Sequence, residues 1–351
     1  MITSQDIKAA AKRLGADIVG IGSIDRWSTA PIQMDPKQIM PNAKSIIALG
    51  FRVMRGSLRG VEEGTYFSNY SAMGYGGITY LYMPMTVINL SKMIEDEGYE
   101  AVPMGHQSDW RGIDTVGYLK EGFSRPVAPG KAAPDVMISL RIAGFLCGLG
   151  EIGYSKMLLT PEFGPRLRVG IIITDMELEP DPIMEPGTLC NRCMACVREC
   201  PGGCIPADRT IKENVGGYEL EWADVDMLKC DWVFQGATEA KEGEVGDYFN
   251  GKMKPWENKY KPSDINPFYK SPPNLYNTGK AICGAKGCTR ACMISLEKRG
   301  VLKNKFHTPF RTEKPWKVDW ESEAIEVDYK PPYEGKTNSP NNKEFFESDT
   351  D

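Results

Sequence analysis

Twelve residues constrain this 351-residue chain more than any others: Cys190-Asn-Arg-Cys193-Met-Ala-Cys196-Val-Arg-Glu-Cys200-Pro201. Three cysteines stand three apart, a fourth follows three residues on, and proline closes the run. A tight loop of small and polar residues with this spacing brings three thiolates to one face of an iron–sulfur cube. The fourth cysteine, a helical turn further, points elsewhere and asks for a second cube. That cube needs ligands downstream, and Cys283-Gly-Ala-Lys-Gly-Cys288-Thr-Arg-Ala-Cys292 supplies them, with Cys230 between.

The C-x2-C-x2-C-x3-C-P pattern is that of bacterial two-cluster ferredoxins. A structural zinc site takes four ligands in a closed tetrahedron, usually as two separated pairs, which this run is not. A disulfide framework belongs to short secreted chains, whereas this chain spreads ten cysteines over 351 residues. Two [4Fe–4S] clusters are therefore expected from spacing alone.

Composition narrows the setting. Apolar residues make up 41% and charged residues 25%, with a net charge of −5, so the chain reads as an ordinary globular protein. No basic patch recommends nucleic acid; weak acidity suits small-molecule chemistry or a basic redox partner. The first residues show neither an apolar signal core nor a twin arginine, and no apolar run approaches the ~20 residues of a membrane span. With thiolate ligands that need reducing conditions, a cytoplasmic location is expected, and an anaerobic host is consistent with exposed clusters.

Along the chain, Thr3 and Asp6 form a capping box ahead of a helix that Gly15 stops. Strands are expected over 17–22 and 44–50, the latter extending through 51–53. Residues 64–82 are aromatic and glycine-rich: either a loop packed on its own aromatics, or a wall over a flat cofactor, with Tyr75 and Gly76 in contact. Met83, Val87, Leu90 and Ile94 recur at helical spacing up to Gly98, with Pro84 in the first turn. A short strand over 99–104, a polar loop over 106–131 and a helix over 135–147 follow, Cys147 reading as a buried spare thiol. Residues 167–174 make the clearest strand. Residues 235–280 read as an irregular insertion, either a surface loop or a lid, and the residues from 329 on as a poorly ordered tail.

Three motifs precede the cysteine run: Ala143-Gly-Phe-Leu-Cys-Gly-Leu-Gly-Glu-Ile-Gly-Tyr154, Leu158-Leu-Thr-Pro-Glu-Phe-Gly-Pro-Arg-Leu-Arg168 and Thr174-Asp-Met-Glu-Leu-Glu-Pro-Asp181. In this order the chain resembles the reductive dehalogenase and epoxyqueuosine reductase superfamily, well over 130–300 and in outline over 1–104. The resemblance implies an α+β fold: a nitroreductase-like corrinoid and substrate domain over 1–184, a bacterial ferredoxin-like two-[4Fe–4S] domain over 185–300 containing the insertion, and a C-terminal extension over 301–351. It implies a cobalamin held base-off, consistent with a chain whose two histidines, His106 and His307, lie in no D-x-H-x-x-G context. It partitions the ligands as Cys190, Cys193, Cys196 and Cys292 for one cluster and Cys200, Cys230, Cys283 and Cys288 for the other, leaving Cys204 and Cys147 over. Gly150 and Gly153 fall in the motif the family brings near the corrin. The second cysteine group departs from the family: C-x4-C-x3-C followed by Met293 replaces C-x2-C-x3-C-P.

Reduction at a corrinoid needs a proton donor. Asp135 lies where epoxyqueuosine reductases place their acid, or else caps a helix after Pro134. Dehalogenases use a tyrosine beside a cation; here Tyr118 or Tyr154 would serve with Arg166 or Arg168, and His106 stands in reserve. Arg166 and Arg168 alternate on a strand and share a side, either ligand-facing or solvated. The expected function is thus a cytoplasmic iron–sulfur and cobalamin-dependent reductase that cleaves a carbon–heteroatom bond in a small molecule. It would draw electrons from a ferredoxin or flavodoxin, with no nucleic acid or membrane partner, possibly as a homodimer. The alternative is an electron-transfer protein that activates a corrinoid methyltransferase system.

Overall fold

The first helix, α1 (Ser4–Arg13), starts where its capping box starts it. Thr3 accepts from the Asp6 amide at 3.3 Å, and Asp6 Oδ2 accepts from the Thr3 amide at 2.9 Å. Ile7, Ala10 and Ala11 are buried on one face, and Gly15, at φ +117°, turns the chain into β1 (Ile18–Ser23). The computed structural model describes residues 2–105, 125–134, 136–234, 282–313 and 316. All of them fall in one compact unit, Met1–Val318.

A four-stranded antiparallel sheet in the order β1-β2-β6-β3 forms the frame, with β2 (Ser45–Arg52), β3 (Ala101–Met104) and β6 (Leu167–Thr174). Ile47 pairs with Ile172 and Phe51 with Arg168 across β2 and β6. The two central strands are apolar almost throughout because both faces are covered. Ile47, Leu49, Phe51 and Ile172 pack with α1, α2 (Arg55–Glu63) and α3 (Met83–Asp96). Ile46, Ala48, Ile171 and Ile173 pack with α4 (Leu140–Leu146) and the hairpin β7 (Thr210–Val215) and β8 (Tyr218–Ala223). Pro103 lies in β3, at the edge of the sheet, where a missing N–H is tolerated.

Three elements differ from the sequence expectation. Tyr70–Tyr82 is a 13-residue π-helix, not a loop, and it runs directly into α3. Its wide winding buries Gly74 and Gly76, and a Cβ at Gly74 would lie 2.6 Å from the Tyr70 ring. The helix expected over 135–147 begins only at Leu140, because the Ser139 hydroxyl takes the cap position and accepts from the Ile142 amide at 3.5 Å. The β7–β8 hairpin was not anticipated, although Gly216 and Gly217 at φ +61° and +89° make its two-residue turn.

The thiol-bearing helices follow: α5 (Ala195–Arg198), α6 (Met227–Phe234), α7 (Ile282–Lys286) and α8 (Cys288–Lys298). A charged clamp ties α8 to α2. Arg290 lies 3.9 Å from Glu62, and both side chains are buried. Arg290 also donates to the Arg311 and Glu313 carbonyls, the Arg311 amide donates to Glu62 at 3.0 Å, and the Arg311 guanidinium meets Glu63 at 2.6 Å. Trp316 stacks on Phe67 and donates to the Val61 carbonyl at 2.8 Å. Among the described residues no helix is long and apolar enough to cross a membrane.

Candidate cysteine-rich redox site

The loop that carries the first thiols is held by one carboxylate. Glu151 lies in β4 (Glu151–Ile152), paired with β5 (Leu158–Leu159), and is fully buried. Its two oxygens accept the amides of Gly187 (2.5 Å), Thr188 (3.1 Å) and Leu189 (2.7 Å), and that of Cys190 as well. An ionised carboxylate among converging N–H groups fixes a loop more firmly than neutral acceptors can, since charge-assisted bonds are about twice as strong. Arg192 and Met194 then adopt left-handed backbone, φ +53° and +58°, and curl the run.

Cys190 accepts from the Tyr154 amide at 3.3 Å, and the Cys193 sulfur lies 3.2 Å from the Ser295 hydroxyl on α8. Burial, followed by the charges of Cys190, Cys196 and Cys193, pushes the Cys292 thiol well above its ordinary value. Burial, followed by Cys190 and Cys193, pushes Cys196 up to about 11. These four thiols form one group.

A second group gathers around the end of the run. Cys200 accepts from the Cys204 amide at 3.3 Å. The Cys288 thiol, at the head of α8, is pushed up to about 12, first by burial and then by the charges of Cys200, Cys230 and Cys196. The thiols of Cys196, Cys288 and Cys292, raised by burial and by neighbouring cysteines, cannot all ionise on their own, but a bound cation deprotonates such thiols outright. The donor chemistry of both groups therefore fits iron–sulfur clusters. Among the described residues no three His, Cys, Asp or Glu side chains are packed closely enough to hold a single ion; the Cys283 side chain lies outside the described part.

Beside the second group stands an arginine–tyrosine cluster. Arg168 donates to the Tyr70 hydroxyl at 3.3 Å and lies over the Tyr75 ring at 4.2 Å. Tyr75 packs on Tyr80 (6.2 Å) and on Phe234 (5.6 Å), which ends the helix bearing Cys230. Burial, then the nearby Tyr75, raises the Tyr80 phenol to about 12. Arg141 is exposed by area, yet desolvation by surrounding protein is the first influence on it and lowers its pKa; Cys230, Arg168 and Cys288 are its charged neighbours.

The other expected residues fall as follows. Arg166 and Arg168 both turn inward, and neither lies on a solvated face. Arg166 is fully buried and donates to the Val53 carbonyl at 2.6 Å and the Asn304 side chain at 2.9 Å, away from the tyrosines. Burial, then neighbouring Arg55, lowers its pKa to about 10. Tyr154 is buried among the cluster loops with its hydroxyl donating to the Pro206 carbonyl at 3.0 Å, and burial raises its pKa. Gly150 and Gly153 serve a close approach within β4–β5: a Cβ on Gly150 would lie 1.9 Å from the Leu159 carbonyl oxygen. His106, Tyr118 and Asp135 lie outside the described residues. Sequence reasoning missed Glu151, Tyr70 and Tyr80. The buried acid in a Gly-Glu-Ile-Gly context was the one available signal.

No family model matches the chain. Over 265 residues it is 29% identical to a tetrachloroethene reductive dehalogenase of Desulfitobacterium hafniense, covering 67% of this chain and 46% of that protein. Over 227 residues it is 27% identical to an epoxyqueuosine reductase of Gloeobacter violaceus, covering 63% of this chain and 56% of that one. The chain thus spans about half the length of the curated relatives it matches. A solved reductive dehalogenase, described with a mechanism for B12-dependent dehalogenation, is similar at a TM-score of 0.45 and 20% identity, over 66% of this chain and 29% of that one.

Proposed function

We infer that this chain, a divergent relative of the reductive dehalogenases and epoxyqueuosine reductases, is an oxidoreductase that cleaves a carbon–heteroatom bond in a small molecule. The observation that carries this reading is the gathering of thiols from two cysteine groups close to a cluster in which Arg168 lies over Tyr75 and Tyr75 packs on Phe234, at the end of the helix bearing Cys230. The ligands we propose are Cys190, Cys193, Cys196 and Cys292 for one [4Fe–4S] cluster and Cys200, Cys230, Cys283 and Cys288 for the other. Residues 1–184 would form the nitroreductase-like part and 185–300 the ferredoxin-like part. Arg168, with the tyrosines packed around it, would line the place of a corrinoid and its substrate. When bound, the clusters supply single electrons and the corrinoid a strongly reducing cobalt.

The chain's own residues do the rest. Glu151 holds the loop that presents Cys190. Tyr75, packed on Phe234, would stand between Arg168 and the helix bearing Cys230. Arg168 orients a substrate oxygen or halide by charge. Asp135, or the phenol of Tyr118, delivers the proton, with His106 in reserve; Arg166, whose two terminal nitrogens donate to Val53 and Asn304, and Tyr154, whose hydroxyl donates to Pro206, hold structure. An external ferredoxin or flavodoxin would supply the electrons.

The test is reconstitution under anaerobic conditions with iron, sulfide and cobalamin. Close to eight irons per chain and two cluster signals are expected, together with a stoichiometric base-off corrinoid spectrum. Two clusters without retained corrinoid would favour the electron-transfer alternative, and zinc in place of iron would end both.

A further inference from the structure

We propose that the buried thiol of Cys204 is a hydrogen-bond donor to the two ligand sulfurs of Cys200 and Cys230, and that it raises the reduction potential of the second cluster. This rests on the two-cluster reading above. Cys204 is 2% exposed. Its thiol is within hydrogen-bonding reach of both Cys200 and Cys230. Its amide donates to the Cys200 sulfur at 3.3 Å, so the residue addresses that ligand twice. Its backbone is fixed to the helix that bears Cys230: the Asp226 amide donates to the Cys204 carbonyl, and the Cys230 amide donates to the Asp226 carbonyl, each at 2.9 Å. Cys204 is therefore held between two ligands by the same short chain of bonds that places one of them.

Contact with both ligands argues against Cys204 being a ligand itself. The four thiolates of one cube bind four different irons and stand apart from one another, so a thiol that touches two of them lies behind the corners. A thiol hydrogen is a weak donor, but in a dry site it has no competing water. Hydrogen bonds to cluster sulfurs are one of the terms that set the potential. The reduced cluster carries one more negative charge, so a donor stabilises it more than the oxidised form. The other spare thiol makes a natural comparison: Cys147 is also fully buried, but its sulfur donates to the Ile46 carbonyl at 3.3 Å, remote from both groups.

The experiment is a redox titration, followed by EPR, of the reconstituted full chain and its C204A, C204V, C204S and C147A variants. C204A and C204V, which lack the donor, should keep about eight irons and shift one cluster to a lower midpoint potential while the other stays at the parent value. C204S, whose hydroxyl can still donate, should lie above both. C147A should shift neither cluster. The proposal is overturned if both potentials are unchanged in C204A and C204V, or if both variants lose about half the iron, which would make Cys204 a ligand. A parent protein without two clusters would instead sink the functional reading, before any variant is compared.

Discussion

Glu151 shows how one side chain can fix the shape of a thiol-bearing loop. Its carboxylate is the acceptor for amides from Gly187 through Cys190. Glu151→Gln retains the shape but loses the charge and turns one acceptor into a donor facing N–H groups. Hydrogen bonds to charged groups are worth ~1.5–3 kcal/mol each, so at least about 3 kcal/mol of stability should be lost, read as a lower urea midpoint, with the signal of the Cys190 cluster diminished first. Chemistry should respond elsewhere. Asp135→Asn should slow turnover by about 10²–10⁴ while iron content and corrinoid retention stay at parent levels. Undiminished turnover in that variant moves the proton donor to Tyr118. Arg168→Met should leave both clusters intact and raise KM for an anionic substrate more than for a neutral one, since the guanidinium held between Tyr70 and Tyr75 is the cation we assign to the substrate.

At the scale of elements, the sequence was readable wherever one local rule acted alone. The capping box set α1, and the β-branched run of β6 needed nothing from its neighbours to be recognised. Reading failed where two rules competed. Residues 70–82 hold glycines that suggest a loop and aromatics that suggest packing; the chain satisfies both by winding with i→i+5 bonds, for which no sequence period is distinctive. The start of α4 shifted because Ser139 is a better-placed cap than anything upstream. The cysteine groups were legible by spacing, but the tyrosines around Arg168 were not, because the π-helix and β6 meet only in the folded chain. Gly150 and Gly153, expected near the corrin, lie in close packing within β4–β5. Gly150→Ala should consequently act on stability: a Cβ driven into the Leu159 carbonyl has only backbone to displace, and overpacking of this kind costs about 1–3 kcal/mol or more. A thermal melt of the apo and loaded protein should show the loss in both.

Taken whole, the molecule is a covered sheet against which thiol-bearing helices are braced, and the brace is a buried charge pair. Arg290 stands on α8 midway between Cys288 and Cys292, which belong to different thiol groups, and it is anchored to Glu62 on α2. Burial, ahead of the Glu62 charge, sets the lowered pKa of Arg290, so the pair holds only while both partners are present. Removing one partner of such a pair typically costs about 3–5 kcal/mol. Glu62→Ala should therefore lower the melting temperature and, although Glu62 touches no thiol, disturb both EPR signals together, whereas a change at Glu151 should disturb one first. A single helix thus acts as a common axle for the two redox centres we propose. Their spacing cannot drift independently, and any ligand or partner that nudges α2 would retune the pair in unison.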